Sequence, residues 1–275
     1  LKGGKAATKA DVYGWVRRMQ YARLKVNLTF WNNWTGVEWF QYPVRANPQV
    51  FEERKKQFDL CHSVGQKVCP WGSWFCIPTS IPEWDLWGAE MTVQPMRADL
   101  GKSFTACYNS PFTDFLVANF AANARDVGTD GFRHDTIAPQ VDCNSEEHGC
   151  GWRDEKGKLW SSQNLFATRE YFKRLYRLFH GGIRKDGVCY FPIAGPPVNC
   201  LDSFIVIHEI GEGTFERGLT LKEGYPQDDV RVRMVGTAYG FVTSNNLKGA
   251  PVQMVERCAA LRVAGANPRF AFAGN

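Results

Sequence analysis

The stretch Gly128-Thr129-Asp130-Gly131-Phe132-Arg133-His134-Asp135-Thr136 predicts a short buried strand that ends on charged side chains. A glycine-containing turn leads into this strand, which we place at residues 131–136. In parallel α/β proteins the carboxyl ends of the strands are where active sites are built. We therefore expect the end of this strand to present Arg133 and Asp135 to a ligand.

Strands and helices alternate along the rest of the chain. Helices are predicted at residues 11–24, 48–64, 111–127, 165–180 and 251–263. Besides the strand at 131–136, strands are predicted at residues 25–30, 66–70, 188–193, 203–210, 233–242 and 269–273. Long loops are predicted at residues 75–109 and 137–162. The alternation indicates a parallel sheet with helical crossovers.

This order of elements favours an α/β protein with a (β/α)8 TIM-type barrel. Seven strands are predicted and the chain opens on a helix, so the first strand is either missing from this chain or lies ahead of Asp11. The length of 275 residues suits one such barrel, which typically needs about 250. An open doubly wound sheet is the rival, but no glycine-rich phosphate turn follows any predicted strand. We predict a single domain over residues 1–275, in which Asp135 ends the fourth strand.

Composition and charge indicate a globular protein without a nucleic-acid surface. Apolar residues make up 44% of the chain and charged residues 22%. The net charge of +5 is small and dispersed, which does not suggest binding to nucleic acid. We find no apolar run long enough to span a bilayer and no signal peptide. Because the chain begins at Leu1 without Met, we expect that it has been trimmed or excerpted. The oligomeric state is not determined by the sequence.

The nine cysteines are an odd number and many for a cytosolic enzyme of this size. Cys143 and Cys150 bracket a short polar loop, which predicts a small disulfide loop and a secreted or extracytoplasmic protein. The alternative is a metal site with Cys143, His148 and Cys150 as ligands. That site lacks a second Cys/His pair at close spacing, so we predict no metal and no cofactor.

Tryptophan is abundant, with ten residues of which most lie in the first third of the chain. Some of them must belong to the core, because aromatic side chains dominate packing. Trp31, Trp34, Trp71 and Trp74 lie at predicted strand ends beside polar residues. Flat apolar rings in such places suit the C–H faces of sugar rings. We predict that these four residues line a carbohydrate-binding cleft.

Asp135 is the first candidate for a catalytic carboxylate. Glycoside hydrolysis needs two groups that flank the scissile bond, and these are usually carboxyls. Arg133, two residues earlier on the same strand face, would hold Asp135 ionised. A structural Arg–Asp pair is the alternative. His134 points to the opposite face of a regular strand, which predicts that it packs.

Glu209 and Glu212 are the candidates for the second carboxyl group. Glu209 follows the apolar run 204–207, and apolar walls raise the pKa of a carboxyl toward the value that a general acid needs. Glu212 stands between two glycines, which leave room for a substrate. In the alternative interpretation one of the two caps a loop. We predict that His208 and Arg133 bind the substrate, and that Asp130 belongs to the turn before the strand.

Four segments together resemble the glycoside hydrolase family 123-like barrel proteins. They are residues 107–116, residues 128–136, the loop from Cys143 through His148-Gly149-Cys150-Gly151 to Trp152, and Arg169-Glu170 with Lys173-Arg174-Leu175-Tyr176. The resemblance covers roughly residues 60 to 220, and the His-Gly-Cys-Gly loop is its most specific part. It implies an eight-stranded barrel and a carbohydrate substrate.

This chain departs from that family at the catalytic pair. Characterised members are β-N-acetylgalactosaminidases that use an adjacent Asp-Glu pair, in which Asp orients the acetamido group and Glu is the acid/base. Here Asp135 is followed by Thr136, so the resemblance does not supply the acid. Glu209 or Glu212 would have to do so.

A shorter resemblance links Asp130–Asp135 to the nucleophile strand of α-amylase-type enzymes. It implies Asp135 as nucleophile, Arg133 as its partner and a Glu on the following strand as acid. A fourth-strand nucleophile with a sixth-strand acid is instead similar to α-galactosidase-like barrels. No Gly-x-Ser-x-Gly elbow and no His-Glu-x-x-His helix supports other hydrolytic chemistry. We predict a glycoside hydrolase acting on a carbohydrate or glycoconjugate. The alternatives are a retaining α-galactosidase- or α-amylase-like hydrolase, or a barrel that binds sugar or is structural without catalysis.

Overall fold

The computed structural model describes parts of the chain, which fall into two compact units. One unit runs from Gly4 to Val188, and the other comprises Leu1–Gly3 and Cys189–Asn275. The described residues are 28–29, 34–37, 40–63, 65–73, 75–98, 102–135, 142–193, 203–204, 207–210, 242–247, 259 and 267–270. For residues 28–29, 71–73, 135, 190–193, 207–210, 242–247 and 267–270 this description covers the backbone alone.

The unit Gly4–Val188 contains helices and short strands in alternation. Its described α-helices are α1 (Pro48–Ser63), α2 (Trp84–Met91), α3 (Phe112–Asp126) and α4 (Leu165–Arg177), with a 3-10 turn at Val44–Ala46 and a π-helix at Leu178–Gly182. Its described strands are β1 (Leu28–Thr29), β2 (Lys67–Val68), β3 (Trp71–Ser73), β4 (Cys76–Pro78), β5 (Ser103–Thr105), β6 (Gly131–Asp135), β7 (Asp142–Cys143), β8 (Trp152–Arg153), β9 (Leu159–Trp160) and β10 (Ser162–Gln163).

Parallel pairing with helical crossovers is the main feature of this unit. β1 pairs parallel with β2, and α1 connects the two. β3 pairs parallel with β6, and the connection between them contains α3. The backbone N–H of Asp130 donates to the Val68 carbonyl at 2.8 Å, so β2 also runs beside the start of β6. Parallel strands need such crossovers, and the predicted α/β class is confirmed.

The start of β6 requires a glycine. A β-carbon at Gly131 would overlap the backbone carbonyl of Val188. The N–H of Val188 donates to the carbonyl of Asp130 at 2.9 Å, which holds the two backbones together at this point. Glycine therefore stands here because another backbone approaches closely.

Helices α3 and α4 cover one face of β6 with aromatic side chains. The ring of Phe132 lies 4.9 Å from that of Phe120 in α3 and 5.6 Å from that of Phe179. All three rings are fully buried. Burial of one such side chain stabilises the fold by about 1.5–3 kcal/mol relative to exposure.

The first helix packs on a second apolar cluster. Its buried members are Trp34, Val44, Phe58, Cys61, Val68 and Val127. Trp34 and Phe58 are in ring contact at 5.7 Å. The buried Arg54 of α1 donates from Nε to the carbonyl of Trp34 at 2.9 Å. This hydrogen bond attaches the turn that contains Trp34 to α1.

Two long connections follow the carboxyl ends of β3 and β6. The first contains α2 and an antiparallel pair of β4 with β5. The second contains two antiparallel pairs, β7 with β10 and β8 with β9. Both were predicted as long loops, and the short elements within them were not foreseen, because very short strands leave little periodicity in a sequence.

The second unit contains a parallel arrangement of four described strands. They are β11 (Val188–Ile193, which starts at the last residue of the first unit), β12 (Ile207–Ile210), β13 (Val242–Leu247) and β14 (Asn267–Phe270). Each pairs parallel with the next in chain order. A parallel sheet is again what the sequence predicts.

The remaining predicted elements have mixed outcomes. The helices at 48–64, 111–127 and 165–180 and the strands at 131–136 and 188–193 are confirmed to within a few residues. The predicted strand 233–242 meets β13 only at its last residue, and residues 233–241 lie outside the described part. The predicted helices 11–24 and 251–263 lie outside it too, apart from Ala259, which is helical. The described residues show no closed barrel, so barrel closure and the single domain stay predictions. No helix among them is both long and apolar enough to cross a membrane.

Candidate active site

The two faces of β6 have different roles. Phe132 and His134 are two residues apart and therefore lie on the same face of the strand. Both are fully buried against the helices. The His134 ring is in edge contact with Tyr171 at 5.7 Å and with Phe172 at 6.3 Å. Because side chains alternate along a strand, Arg133 belongs to the other face. The prediction that His134 packs is confirmed.

His134 also has a polar neighbour within the core. Its Nε2 lies 3.5 Å from the hydroxyl of Tyr108. Burial, and to a smaller extent the nearby Cys76, raises the pKa of Tyr108. The phenol therefore stays protonated and can donate to the imidazole.

The carboxyl ends of β3 and β6 lie side by side. In the register of the pair, Trp71 is opposite Arg133 and Ser73 is opposite Asp135. Arg133 is buried, with 5% of its surface exposed, and its N–H donates to the Pro70 carbonyl at 2.9 Å. Asp135 is the last residue of β6. The Asp135 side chain lies outside the described atoms, so the pairing of Arg133 with Asp135 stays a prediction.

The second carboxylate cluster is described in part. Glu209 is the third residue of β12, where it lies between Pro192 of β11 and Ser244 of β13. His208 precedes it in the same strand. Glu212 lies outside the described residues. The assignment of Glu209 or Glu212 as the acid stays a prediction.

The four predicted sugar-binding tryptophans have different positions. Trp34 is 1% exposed and packs in the apolar cluster under α1, so no face of this ring is open to a sugar. The prediction for Trp34 is wrong, because the chain folds back there to cover α1. Trp71 is in β3, and Trp31 and Trp74 lie outside the described residues.

An exposed aromatic pair was missed by sequence reasoning. Trp152 and Trp160 are 56% and 43% exposed, and their rings stack at 6.2 Å with 17° between planes. They are paired residues of the hairpin β8–β9, in the connection that follows β6. Two tryptophans that bracket a polar turn with Gly157 were the available sequence signal.

The hairpin that carries this pair is held by a carboxylate. Asp154 accepts from Trp160 Nε1 at 2.9 Å and from the N–H groups of Lys156 and Lys158, both at 3.0 Å. The indole hydrogen bond first, and then the two backbone N–H groups, lower the pKa of Asp154. The Lys158 ammonium lies 3.8 Å from the centre of the Trp160 ring.

Asp130 has a structural position at the other end of β6. Its carboxylate contacts His62 at the end of α1 at 2.7 Å and accepts the N–H of Val68 at 2.8 Å. The assignment of Asp130 to the turn before the strand agrees with this geometry. In α/β barrels the amino ends of strands serve stability, and the carboxyl ends serve catalysis.

Three buried cysteines converge near the carboxyl ends of β5 and β7. Cys107, Cys143 and Cys150 have sulfur atoms within 4.8 Å of one another. Burial first, and then the neighbouring Cys143 and Cys150, raises the pKa of Cys107. Burial also raises the pKa of Cys150.

The predicted disulfide between Cys143 and Cys150 is not formed. All seven described cysteines are free thiols. The sulfur of Cys150 lies 3.7 Å from that of Cys107, whereas the sulfur of Cys143 lies 3.7 Å from His148 Nδ1. A disulfide requires about 2.05 Å between sulfur atoms. The fold brings a third thiol, that of Cys107, beside the two that the sequence pairs.

No family model and no curated protein matches the chain, but solved structures resemble it. An α-L-fucosidase isoenzyme from Paenibacillus thiaminolyticus is 14% identical with a TM-score of 0.61, over 97% of this chain and 43% of that one. The α-galactosidase from Lactobacillus brevis is 11% identical with a TM-score of 0.57, over 97% of this chain and 36% of that one. Ega3 from Aspergillus fumigatus, in complex with galactosamine, is 12% identical with a TM-score of 0.50, over 78% of each chain.

These similarities concern the fold. Solved glycoside hydrolases are among the structural neighbours, at low identity. The chain spans less than half the length of the fucosidase and of the α-galactosidase. Membership of family 123 is not confirmed by any match.

Proposed function

We propose that this protein is a glycoside hydrolase with a (β/α)8 barrel, in which Asp135 and a glutamate of the 209/212 cluster form the carboxylate pair. The observation that carries the proposal is the end of β6, where the buried Arg133 precedes the terminal Asp135 beside the end of β3. The likeness to solved glycoside hydrolases supports the reaction class. Fold alone does not give function, so the site has to decide it.

Arg133 is the residue that would keep Asp135 ionised. Strand periodicity predicts that the two side chains share one face, because they are two residues apart in β6. A buried guanidinium lowers the pKa of a neighbouring carboxylate by charge pairing and hydrogen bonding. Asp135 would then act as nucleophile or as general base, and Glu209 or Glu212 would protonate the leaving oxygen.

The separation of the carboxyl groups would fix the stereochemistry. A distance of about 5–5.5 Å between Asp135 and the acid means retention, and about 6.5–9.5 Å means inversion. A distance beyond about 12 Å to both glutamates, well outside these ranges, contradicts the proposal.

The long connections after β3 and β6 are the proposed substrate-binding elements. Loops at the carboxyl ends of strands form the active sites of barrel enzymes. Trp71 in β3 and the exposed pair of Trp152 and Trp160 are the aromatic surfaces that we assign to sugar rings. Trp31, Trp74, His208 and Arg133 stay in the proposed binding set, and Trp34 leaves it.

A panel of nitrophenyl glycosides tests the function. It includes α-galactosides, α-L-fucosides, N-acetylhexosaminides and galactosaminides, which cover the sugars named by the structural neighbours and by the resemblance. We expect turnover of at least one, abolished in Asp135→Asn with the circular dichroism spectrum unchanged. Asp59→Asn, an exposed carboxylate of α1 paired with Lys55, is the matched control and should keep full activity.

The acid is identified by leaving-group dependence. Glu209→Gln and Glu212→Gln are compared on dinitrophenyl and alkyl glycosides of the sugar that is turned over. Loss of the acid slows hydrolysis of the alkyl glycoside far more than that of the dinitrophenyl glycoside, which needs little protonation. Equal losses on both substrates in both variants contradict the assignment.

Binding without turnover is the second candidate function. It is favoured by Thr136, which stands where the catalytic pair of the resembling family has its glutamate. Saturable sugar binding without hydrolysis of any panel member supports it and overturns the enzyme. The α-galactosidase-like alternative predicts retention on α-galactosides. An extracytoplasmic location stays a proposal, and the free thiols no longer support it.

A further inference from the structure

We propose that Cys107, Cys143, Cys150 and His148 bind one structural zinc ion. This departs from the prediction of no metal, which rested on the lack of another cysteine or histidine close in sequence. The fold supplies that ligand, because the sulfur of Cys107, which stands shortly after the strand β5, lies 3.7 Å from that of Cys150. The proposal is independent of the glycosidase activity.

The distances suit a tetrahedral zinc site. With Zn–S bonds of about 2.3 Å and a Zn–N bond of about 2.0–2.1 Å, the tetrahedral edges are about 3.8 Å between sulfurs and about 3.6 Å between sulfur and nitrogen. Cys107 Sγ and Cys150 Sγ are 3.7 Å apart, and Cys143 Sγ is 3.7 Å from His148 Nδ1. The three sulfur atoms lie within 4.8 Å of one another, and the half-buried His148, beside Cys143, would move toward the other two sulfurs to complete the set.

Backbone and side-chain N–H groups donate to the sulfur atoms. Cys143 Sγ accepts from the N–H of Gln94 at 3.4 Å and from the N–H of Ser145 at 3.5 Å. Cys150 Sγ accepts from Asn109 Nδ2 at 3.3 Å. Donors around the ligands orient them and stabilise the thiolate form in metal sites.

Asn164 gives a further indication of a built site. It occupies the N-cap position of α4, but its side chain makes no capping hydrogen bond. Instead Nδ2 donates to Cys107 Sγ at 3.1 Å, and Oδ1 accepts from the Cys150 thiol at 3.1 Å. An Asn at this position ordinarily accepts from the first turn of its helix. Here its side chain forms hydrogen bonds with the cysteine cluster instead.

Zinc would neutralise most of the charge of the three thiolates. Binding releases the three thiol protons and leaves three thiolates, a neutral imidazole and a divalent cation, with a net charge of one negative unit. The N–H donors offset that charge. Metal binding replaces the hydrogen bond from the Cys150 thiol to Asn164, since the thiolate has no proton to donate.

The ion would join the two long connections. Cys107 belongs to the connection after β3, and the other three ligands belong to the connection after β6. The buried apolar cluster between them contains only Val93 beside the three cysteines among the described residues. A core this small gives little stability, and a structural zinc site contributes folding energy directly.

Metal analysis of the full chain tests the proposal. The tag-free protein is reduced, reconstituted with zinc and dialysed, and its metal is measured by mass spectrometry and X-ray absorption. We expect about one zinc ion per chain, with three sulfur ligands at about 2.3 Å and one nitrogen ligand at about 2.0 Å. Cobalt substitution should give the intense visible bands of a tetrahedral thiolate site.

The zinc content of single variants distinguishes the zinc ligands from other residues. Cys143→Ala and His148→Ala should lose stoichiometric zinc, and Cys61→Ala, a buried cysteine outside the cluster, should keep it. Asn164→Ala should weaken zinc affinity about 10- to 100-fold in competition with a chelator, as expected for a residue that positions ligands.

Two results would overturn the proposal. One is wild-type protein that holds no zinc after reconstitution. This result does not depend on the variants, so the test stands even if a variant does not fold. The other is a disulfide between two of the three cysteines in the native protein, seen as loss of two hydrogen masses and of two reactive thiols. Retention of one zinc ion in His148→Ala removes His148 from the site.

Discussion

Nε2 of His62 and Oδ2 of Asp130 lie 2.7 Å apart, at the end of β6 remote from Asp135. The same carboxylate oxygen accepts the N–H of the buried Val68, and Arg184 Nε lies 3.7 Å from the other oxygen. Asp130 therefore joins α1, β2 and the start of β6. Two aspartates of one short segment have separate tasks, one structural and one proposed as catalytic.

Asp130→Ala should destabilise the fold. The substitution removes the acceptor of a buried N–H together with the partner of His62, and an unsatisfied buried donor costs about 1–3 kcal/mol. Urea denaturation measures the loss in the free energy of unfolding. The control is Asp59→Asn, because Asp59 forms an exposed pair with Lys55 that contributes about 0.3–0.5 kcal/mol at most. Equal losses in both variants contradict the assignment.

His134→Ala should lower stability and leave turnover intact in the folded protein. Its ring fills space among Tyr108, Tyr171 and Phe172, so its removal leaves a cavity that costs about 2–5 kcal/mol. Thermal unfolding and kcat below the transition are the measurements. Asp135→Asn is the comparison, and we expect it to keep normal stability and to lose turnover. A His134 variant with normal stability and no activity would place the imidazole in the site instead.

Gly131→Ala should prevent the normal pairing at the start of β6. The added methyl group meets the Val188 carbonyl, which is backbone and cannot rotate away. We expect little folded protein, measured by soluble yield and by the far-ultraviolet spectrum. Gly181→Ala is the comparison, because nothing lies within 4 Å of its added carbon. Normal yield of both variants shows that the close approach is absent in solution.

The hairpin β8–β9 should loosen in acid. The pKa of Asp154 is lowered, chiefly by the Trp160 indole, so the ionised carboxylate stabilises the hairpin at pH values above its ordinary pKa of 3.8. That contribution is lost as the pH falls through the lowered pKa of the folded state. The protection of the Trp160 Nε1–H against hydrogen exchange, measured by NMR relative to the indole of free tryptophan at each pH, should decrease in the wild type as the pH falls.

Two variants control the acid experiment. In Asp154→Asn the protection of the Trp160 Nε1–H should be smaller at neutral pH and should show no further decrease in acid. Glu147→Gln, an exposed carboxyl in the same connection, should behave as the wild type. Wild type and Asp154→Asn with parallel pH profiles would exclude the carboxylate as the cause.

The faces of β6 could be predicted from the sequence, because alternation in a strand depends on local geometry alone. Phe132 and His134 pack against α3 and α4 as that period requires, and Arg133 lies on the other face. Trp34 was assigned wrongly for the opposite reason. A tryptophan beside polar residues has the same local pattern in a core as in a cleft, and the packing of a distant helix decides between them.

The sequence by itself determined the α/β class, the position of β6 between its helices and the candidate carboxylates, since periodicity and strand-end chemistry are local properties. Only the tertiary structure decided what the cysteines do. Cys143 and Cys150 are close in sequence, which suggested a disulfide, but Cys107 joins them across the connections after β3 and β6. Contacts between residues far apart in sequence depend on how the chain packs, and no local pattern encodes the third thiol that turns a predicted pair into a cluster.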